Sequence, residues 1–226
     1  MEYAFIPGID KKVSRLVYGT PSAVSEGSPD EAYDALERAY SHGFRMFDTA
    51  NAYGLAEENI GHWLKKSGHR DDIVIMDKGC NPGMDGSGDP FSAELIRSQV
   101  ELSLKRFGTD FIDLYVLHRD DVTRPVDEIV DVLNELKKEG KIGKFGGSNW
   151  TMERLKETMA YAEKKGLEGF SVCSPCYGIA ELKNDPWGGS VTISGKENEG
   201  FRKWLAETQM PAIVYSTGSS TVVMLI

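Results

Sequence analysis

Short apolar runs alternate along this chain with longer stretches whose apolar positions recur every three or four residues. The short runs are SRLVYG (14–19), FRMFD (44–48), DIVIMDK (72–78), DFIDLYVLH (110–118), IGKFGGS (142–148), LEGFSVC (167–173) and PAIVYS (211–216). Each reads as a strand buried on both faces, the habit of parallel sheets. The periodic stretches predict helices over 28–43, 56–68, 92–108, 125–140 and 151–166. Ser28 stands at a cap position, with Pro29 in the first turn and Gly43 as the stop. The other four repeat early acids, late lysines and a terminal glycine, which suits the helix dipole and a left-handed end.

Strand ends recur roughly every 30–40 residues, the length of a βα unit. An open doubly wound sheet and a (β/α)8 barrel both fit that rhythm. The open sheet marks its nucleotide site with a glycine-rich turn after the first strand. Here that turn is YGTPSAVSEGSPD, with no G-x-G-x-x-G. The glycines of NPGMDGSGDP (81–90) match neither that fingerprint nor a P-loop, and GKIGKFGGS (140–148) has the wrong spacing. The expectation is an α/β protein of the TIM-barrel type, one domain over residues 1–226, with seven strands present. YAFIPGIDKKVSRLV, turning near Pro7 and Gly8, reads as an N-terminal β-hairpin that plugs the bottom of the barrel. The non-periodic segment 176–200 reads as a loop of a length that is usually functional or mobile.

Composition narrows the partners. The net charge of −9 argues against a nucleic-acid surface and for a small-molecule ligand. No run of eighteen apolar residues is present and MEYAFIPGIDKK lacks the pattern of a signal peptide, so no membrane partner and a cytoplasmic location are expected. Three cysteines are too few for a disulfide scaffold. Cys173 and Cys176, in CSPC, have no second pair and no nearby histidine, and read as incidental thiols.

In parallel barrels chemistry sits at the C-terminal ends of the strands. Those ends carry Gly19 and Thr20, Asp48, Lys78, His118, Ser148 and Asn149, Ser174, and Tyr215, with Tyr53 in the loop after Asp48. Singly, the aspartate is a helix cap, the lysine a solvated charge and the histidine a structural residue. Together, burial of such groups without a use costs several kcal/mol. A phenol with its ordinary pKa near 10 is a poor acid at neutral pH. An ammonium beside it stabilises the phenolate, a carboxylate keeps the ammonium charged, and an imidazole orients a carbonyl oxygen. Asp48, Tyr53, Lys78 and His118 therefore compose a proton donor aimed at a developing alkoxide. A metal-hydrolase reading of His118, Asp120 and Asp121 lacks further ligands, since His42, His62 and His69 fall on helices or helix ends.

GFRMFDTANAYG, DIVIMDK, DFIDLYVLHRDD and KIGKFGGSNW resemble the motifs of the aldo-keto reductase family, in the same order and over nearly the whole chain. The resemblance implies a (β/α)8 barrel and reversible NADP(H)-linked reduction of aldehydes and ketones. It implies Tyr53 as proton donor, Lys78 and Asp48 as its tuning pair, and His118 as the substrate-orienting group. Ser148 and Asn149 match the pair that binds the nicotinamide carboxamide, and Tyr215 the aromatic that stacks on the ring. Gly19 and Thr20 match a close backbone approach to the cofactor. Ser174 stands where many relatives have glutamine. Relatives of this barrel also act as cofactor-sensing subunits of potassium channels, the alternative reading; the four-residue set favours an enzyme. Tyr177 and Trp187 are candidate substrate contacts. The ending STGSSTVVMLI departs from the usual continuation, which brings a seventh helix, an eighth strand, a final helix and the grip on the 2′-phosphate. The expectation is a C-terminally truncated member, with TVVMLI (221–226) as a makeshift eighth strand or an aggregation-prone segment.

Overall fold

The computed structural model describes residues 1–20, 23–81, 91–178, 185, 188–216 and 222–225. Strands β1 (Tyr3–Ala4) and β2 (Val13–Ser14) form an antiparallel hairpin. Then β3 (Leu16–Gly19), β4 (Met46–Asp48), β5 (Val74–Gly79), β6 (Ile112–Leu117), β7 (Ile142–Ser148) and β8 (Val172–Ser174) pair in parallel, each beside the next. The intervening helices are α1 (Ala23–Glu26), α2 (Pro29–Ser41), α3 (Ala56–Ser67), α4 (Ala93–Phe107), α5 (Val126–Lys138) and α6 (Met152–Lys165). Helix α7 (Glu199–Thr208), β9 (Ile213–Val214) and β10 (Val222–Leu225) follow. No helix among the described residues is long and apolar enough to cross a membrane.

The helices end where their sequences say. Ser28 and Glu31 form a reciprocal capping box at the start of α2. Gly68, Gly108 and Gly166 close α3, α4 and α6 in the left-handed conformation, at φ 75°, 66° and 69°.

Period-two alternation divides the core into two layers. Val17, Met46, Val74, Met76, Leu114, Val116, Val172 and Ile213 face inward and pack with Ile6, Ile9 and Val13 of the hairpin segment. Their strand neighbours, among them Phe47, Ile75, Tyr115, Phe145, Cys173 and Val214, face outward against the helices. The hairpin therefore does plug the barrel interior. Lys11 ties it there, its Nζ donating to Asp113 Oδ1 at 2.8 Å and to the Ile73 carbonyl at 2.9 Å.

Two expectations need correction. The strand expected over 167–173 is confined to Val172–Ser174. The chain leaving Gly166 must first cross from the helix layer to the sheet, and it joins β7 where the Ser171 N–H meets the Phe145 carbonyl at 3.0 Å. The region after 176–200 contains α7, which begins inside the expected loop and buries only Phe201 and Leu205 as its apolar seam.

The eighth position of the sheet is filled by β10, in the reverse sense. The strand order is β8-β7-β6-β5-β4-β3-β10-β9, and a parallel bridge between Cys173 and Ala212 joins its two ends. Strand β10 runs antiparallel to both neighbours, with Val223 opposite Val17 and Met224 opposite both Leu16 and Val214. Its C-terminal Leu225 is buried in the inner layer. The segment thus covers two strand edges that would otherwise present unpaired backbone. Met224→Pro removes an N–H from a strand paired on both sides. It is expected to lower the urea midpoint and promote aggregation; an unchanged midpoint would mean that β10 adds nothing to closure.

Candidate active site

The alternation that builds the inner core also gathers the polar residues. Asp48 follows Met46 by two positions, Lys78 follows Met76, His118 follows Val116, and Ser174 follows Val172. Gly19 and Tyr215 follow Val17 and Ile213 in the same way. Because the strands are parallel, all of these inward positions fall on one rim. Register locks them side by side: Gly19 lies opposite Asp48, and Ser148 opposite Ser174.

At the centre, the Lys78 ammonium is in direct contact with Asp48 Oδ1 and donates to the Thr49 carbonyl at 2.8 Å. The two side chains are 4% and 8% exposed, so this is a buried ion pair. Lys78 Nζ sits 5.1 Å from the centroid of the Tyr53 ring. The His118 ring meets Tyr53 nearly edge-on, at 5.6 Å and 81°. The loop carrying Tyr53 is held by the Tyr53 N–H on the Ala50 carbonyl and the Asn51 N–H on the Lys78 carbonyl, at 2.9 and 2.8 Å. No hydrogen bond of the Tyr53 hydroxyl is found among the described residues.

The electrostatics follow from burial and from these neighbours. Burial opposes the charge on Lys78, yet its neighbours, the Asp48 carboxylate foremost, more than offset it and hold the ammonium charged. Burial pushes the Tyr53 phenol above its ordinary value, against the pull of Lys78. The expected acidifying effect of the ammonium is therefore present but outweighed by burial, and Tyr53 stays protonated at neutral pH. Burial, then the charges of Lys78 and Arg119, hold His118 well below its ordinary 6.5, so its imidazole is neutral.

His118 gives a pH signature. Above 6.5 both folded and unfolded chains carry it neutral. Below that, the unfolded chain takes up a proton that the folded chain refuses, and stability falls as pH falls. His118→Asn is expected to flatten this acid limb when urea midpoints are compared at about pH 7 and about pH 5. An unaltered slope would contradict the assignment.

The second group of expected residues forms a separate network beside the first. Asn149, at φ 59°, donates through Nδ2 to the Ser148 Oγ at 3.1 Å and to the His118 carbonyl at 3.2 Å. Its Oδ1 accepts from the Tyr215 hydroxyl at 2.5 Å and the Val191 N–H at 3.1 Å. Ser148 Oγ donates to the Ser174 carbonyl at 3.0 Å, so Ser174 enters through its backbone. Thr20 binds the Asp48 carbonyl through both N–H and hydroxyl, at 3.0 Å each, and so holds the backbone of β4. The glycines of β7 permit this crowding: a Cβ on Gly146 would lie 2.2 Å from the Val172 carbonyl oxygen.

Other expected positions fall elsewhere. Asp120 pairs with Arg154 at 2.9 Å and Asp121 accepts from Thr123, so neither joins His118. Tyr177 lines a cavity bounded by Phe5, Leu205 and Leu225, while its N–H holds the Tyr215 carbonyl at 3.1 Å. Trp187 lies outside the described residues, as does nearly all of 81–90. The three cysteines are buried and form no disulfide, and burial pushes the Cys173 thiol up to about 12. Two participants had little signal in the sequence. The Thr49 carbonyl is a backbone group, and the Val191 N–H comes from a segment read only as loop.

The chain matches the model of the aldo/keto reductase family over residues 15–217. It is 33% identical over 193 residues to the Bacillus subtilis protein named uncharacterized oxidoreductase YrpG, covering 80% of this chain and 59% of that one. It is 35% identical over 147 residues to the NADH-specific methylglyoxal reductase of Escherichia coli, covering 58% of this chain and 44% of that one. It is 32% identical over 187 residues to an Arabidopsis thaliana protein named probable voltage-gated potassium channel subunit beta, covering 79% of this chain and 56% of that one. The chain thus spans about half the length of these relatives. Since the family match takes in every strand end from β3 to β9 together with the buried pair and the tyrosine above it, this chain belongs to the aldo/keto reductase family.

Proposed function

We propose that this chain reduces aldehydes or ketones to alcohols with NADP(H) as reductant and Tyr53 as proton donor. The observation that carries the reading is the buried Asp48–Lys78 ion pair beneath the Tyr53 ring, with His118 edge-on to the same ring. A carbonyl under reduction becomes an alkoxide and needs a proton at its oxygen. Tyr53 is a loaded donor, because burial keeps its phenol protonated. When the proton leaves, the phenolate faces the Lys78 ammonium, and that attraction offsets part of the burial penalty. Asp48 holds the ammonium charged and in place. A neutral His118 orients the carbonyl oxygen without competing as an acid.

A reduced nicotinamide, when bound, would supply the hydride. Ser148, Asn149 and Tyr215 are the residues proposed to hold it, with Gly19, Thr20 and Ser174 alongside. Their chemistry fits a carboxamide: Asn149 carries an acceptor and two donors, now engaged by neighbouring groups, and Tyr215 carries an aromatic face. Among the described residues the buried His118 Nδ1 has no hydrogen-bond partner, a polar atom still to be satisfied. Asn149 Oδ1 is held by Tyr215 and Val191, so binding must release one of them. Tyr215→Phe removes one of these competitors and is expected to tighten dinucleotide binding a few-fold by fluorescence titration. Unchanged or weaker binding would show that the Tyr215 hydroxyl is no competitor.

The test of the reading is dinucleotide oxidation by the purified chain with a range of simple aldehydes, using NADPH and NADH in parallel. Alcohol formation supports it, with NADPH preferred. The Arabidopsis relative motivates a second reading, in which the dinucleotide is bound but not turned over. Tight binding with no alcohol from any carbonyl would favour that one.

A further inference from the structure

A cavity of about 610 Å³ opens between the hairpin segment, α7 and the closing strands β9 and β10. None of Asp48, Tyr53, Lys78 and His118 lines it, so it is separate from the site described above. Its size falls in the range of small-molecule sites, about 300–1,000 Å³. Phe5, Ile193, Leu205, Met210 and Leu225 make its apolar wall. Four of these are buried, whereas Phe5 is 64% exposed. A large ring left in water beside an apolar hollow is surface that an occupant would cover.

Two arginines, Arg15 and Arg202, line the same cavity, and no aspartate or glutamate among the described residues does. In a chain with 35 acidic side chains against 26 basic ones, this reverses the general balance. Arg202 is held through Nη1, which donates to the Ile193 and Gly195 carbonyls at 2.5 and 2.6 Å. Those bonds fix the guanidinium without neutralising it, and its five donors leave capacity beyond them. Arg15 is anchored by its backbone. Its N–H donates to the Glu2 carbonyl and its carbonyl accepts from the Leu225 N–H, at 2.9 Å each. Neither arginine pairs with a carboxylate among the described residues; those that do, Arg70, Arg97, Arg106 and Arg154, lie away from the cavity. An apolar hollow with two unpaired cations complements a ligand with an apolar body and one anionic head.

We propose that this cavity is a second binding site, for an amphipathic carboxylate of the fatty-acid kind. Arg15 and Arg202 would take the carboxylate, and the apolar wall with Phe5 would take the hydrocarbon body. The test is calorimetric titration of the full chain with decanoate and with decan-1-ol, both below micellar concentration. One site per chain is expected, with the acid bound about 10- to 100-fold tighter than the alcohol, the size of a charge-assisted hydrogen-bonded contact. Arg15→Gln/Arg202→Gln should bring the acid-to-alcohol ratio close to one. Arg15→Gln alone changes an exposed residue whose backbone bonds remain, and should lose part of the preference with an unchanged thermal melt. Ala206→Phe, at an exposed position of α7 that lines the cavity, should fill it and weaken both ligands. No saturable binding, equal affinity for acid and alcohol in the wild type, or decanoate affinity unchanged in Ala206→Phe overturns the inference. So does a dimer in sedimentation that decanoate fails to dissociate, since a second copy would then cover the cavity. The readout is binding, so carbonyl reduction stands or falls separately.

Discussion

Replacing Tyr53 with phenylalanine is expected to lower kcat for carbonyl reduction by roughly 10²- to 10⁴-fold, the usual worth of a positioned general acid. The substitution is clean because of what the hydroxyl does not do. With no hydrogen bond among the described residues, its removal orphans no buried donor or acceptor there. The ring stays, and with it the edge-on contact to His118 and the position over Lys78. Stability is therefore expected to stay within about 0.5 kcal/mol of wild type, as for changes that break no network. Thermal melts and single-turnover kinetics on the same preparations separate the two effects. A loss of less than tenfold would mean that another group delivers the proton.

The second large effect is expected from Lys78→Met. The ammonium is the counter-charge of a buried carboxylate, and its removal strands Asp48 in the barrel interior. Breaking one side of such a pair is expected to cost about 3–5 kcal/mol. Activity should fall with it, because the phenolate left at Tyr53 loses the charge beneath its ring. The double variant Asp48→Leu/Lys78→Met discriminates between the two roles. An apolar pair of similar volume removes the stranded charge and should restore most of the stability. It restores no ammonium, so turnover should remain absent. Recovery of activity together with stability in the double variant would make the pair structural only.

Much of this architecture was legible because it rests on periodicity. The inward runs ending in Lys78 and His118 carry their chemistry two positions beyond Met76 and Val116, and period two is a property of the sequence itself. Helix ends at Gly68, Gly108 and Gly166 were legible for a similar reason, since each needs a left-handed residue. What was not legible depends on partners distant in the chain. Of Leu167–Ser171 only Phe170 is buried and Leu167 is exposed, so the segment serves as a connector rather than a strand. Helix α7 was obscured because its buried seam is only Phe201 and Leu205. The apolar character of TVVMLI marked a strand, but its direction is set by the edges of β3 and β9. The net effect on Tyr53 is a contest between burial and the ammonium, and only the folded arrangement decides it.

The most direct test of the central claim follows the atoms. The purified chain is incubated with an aldehyde and NADPH carrying deuterium at the reactive nicotinamide carbon, and the product is read by NMR. The account predicts an alcohol with one deuterium on its carbinol carbon, placed on a single face, and none formed over the same time by Tyr53→Phe. An unlabelled alcohol, or equal labelled product from Tyr53→Phe, would contradict it.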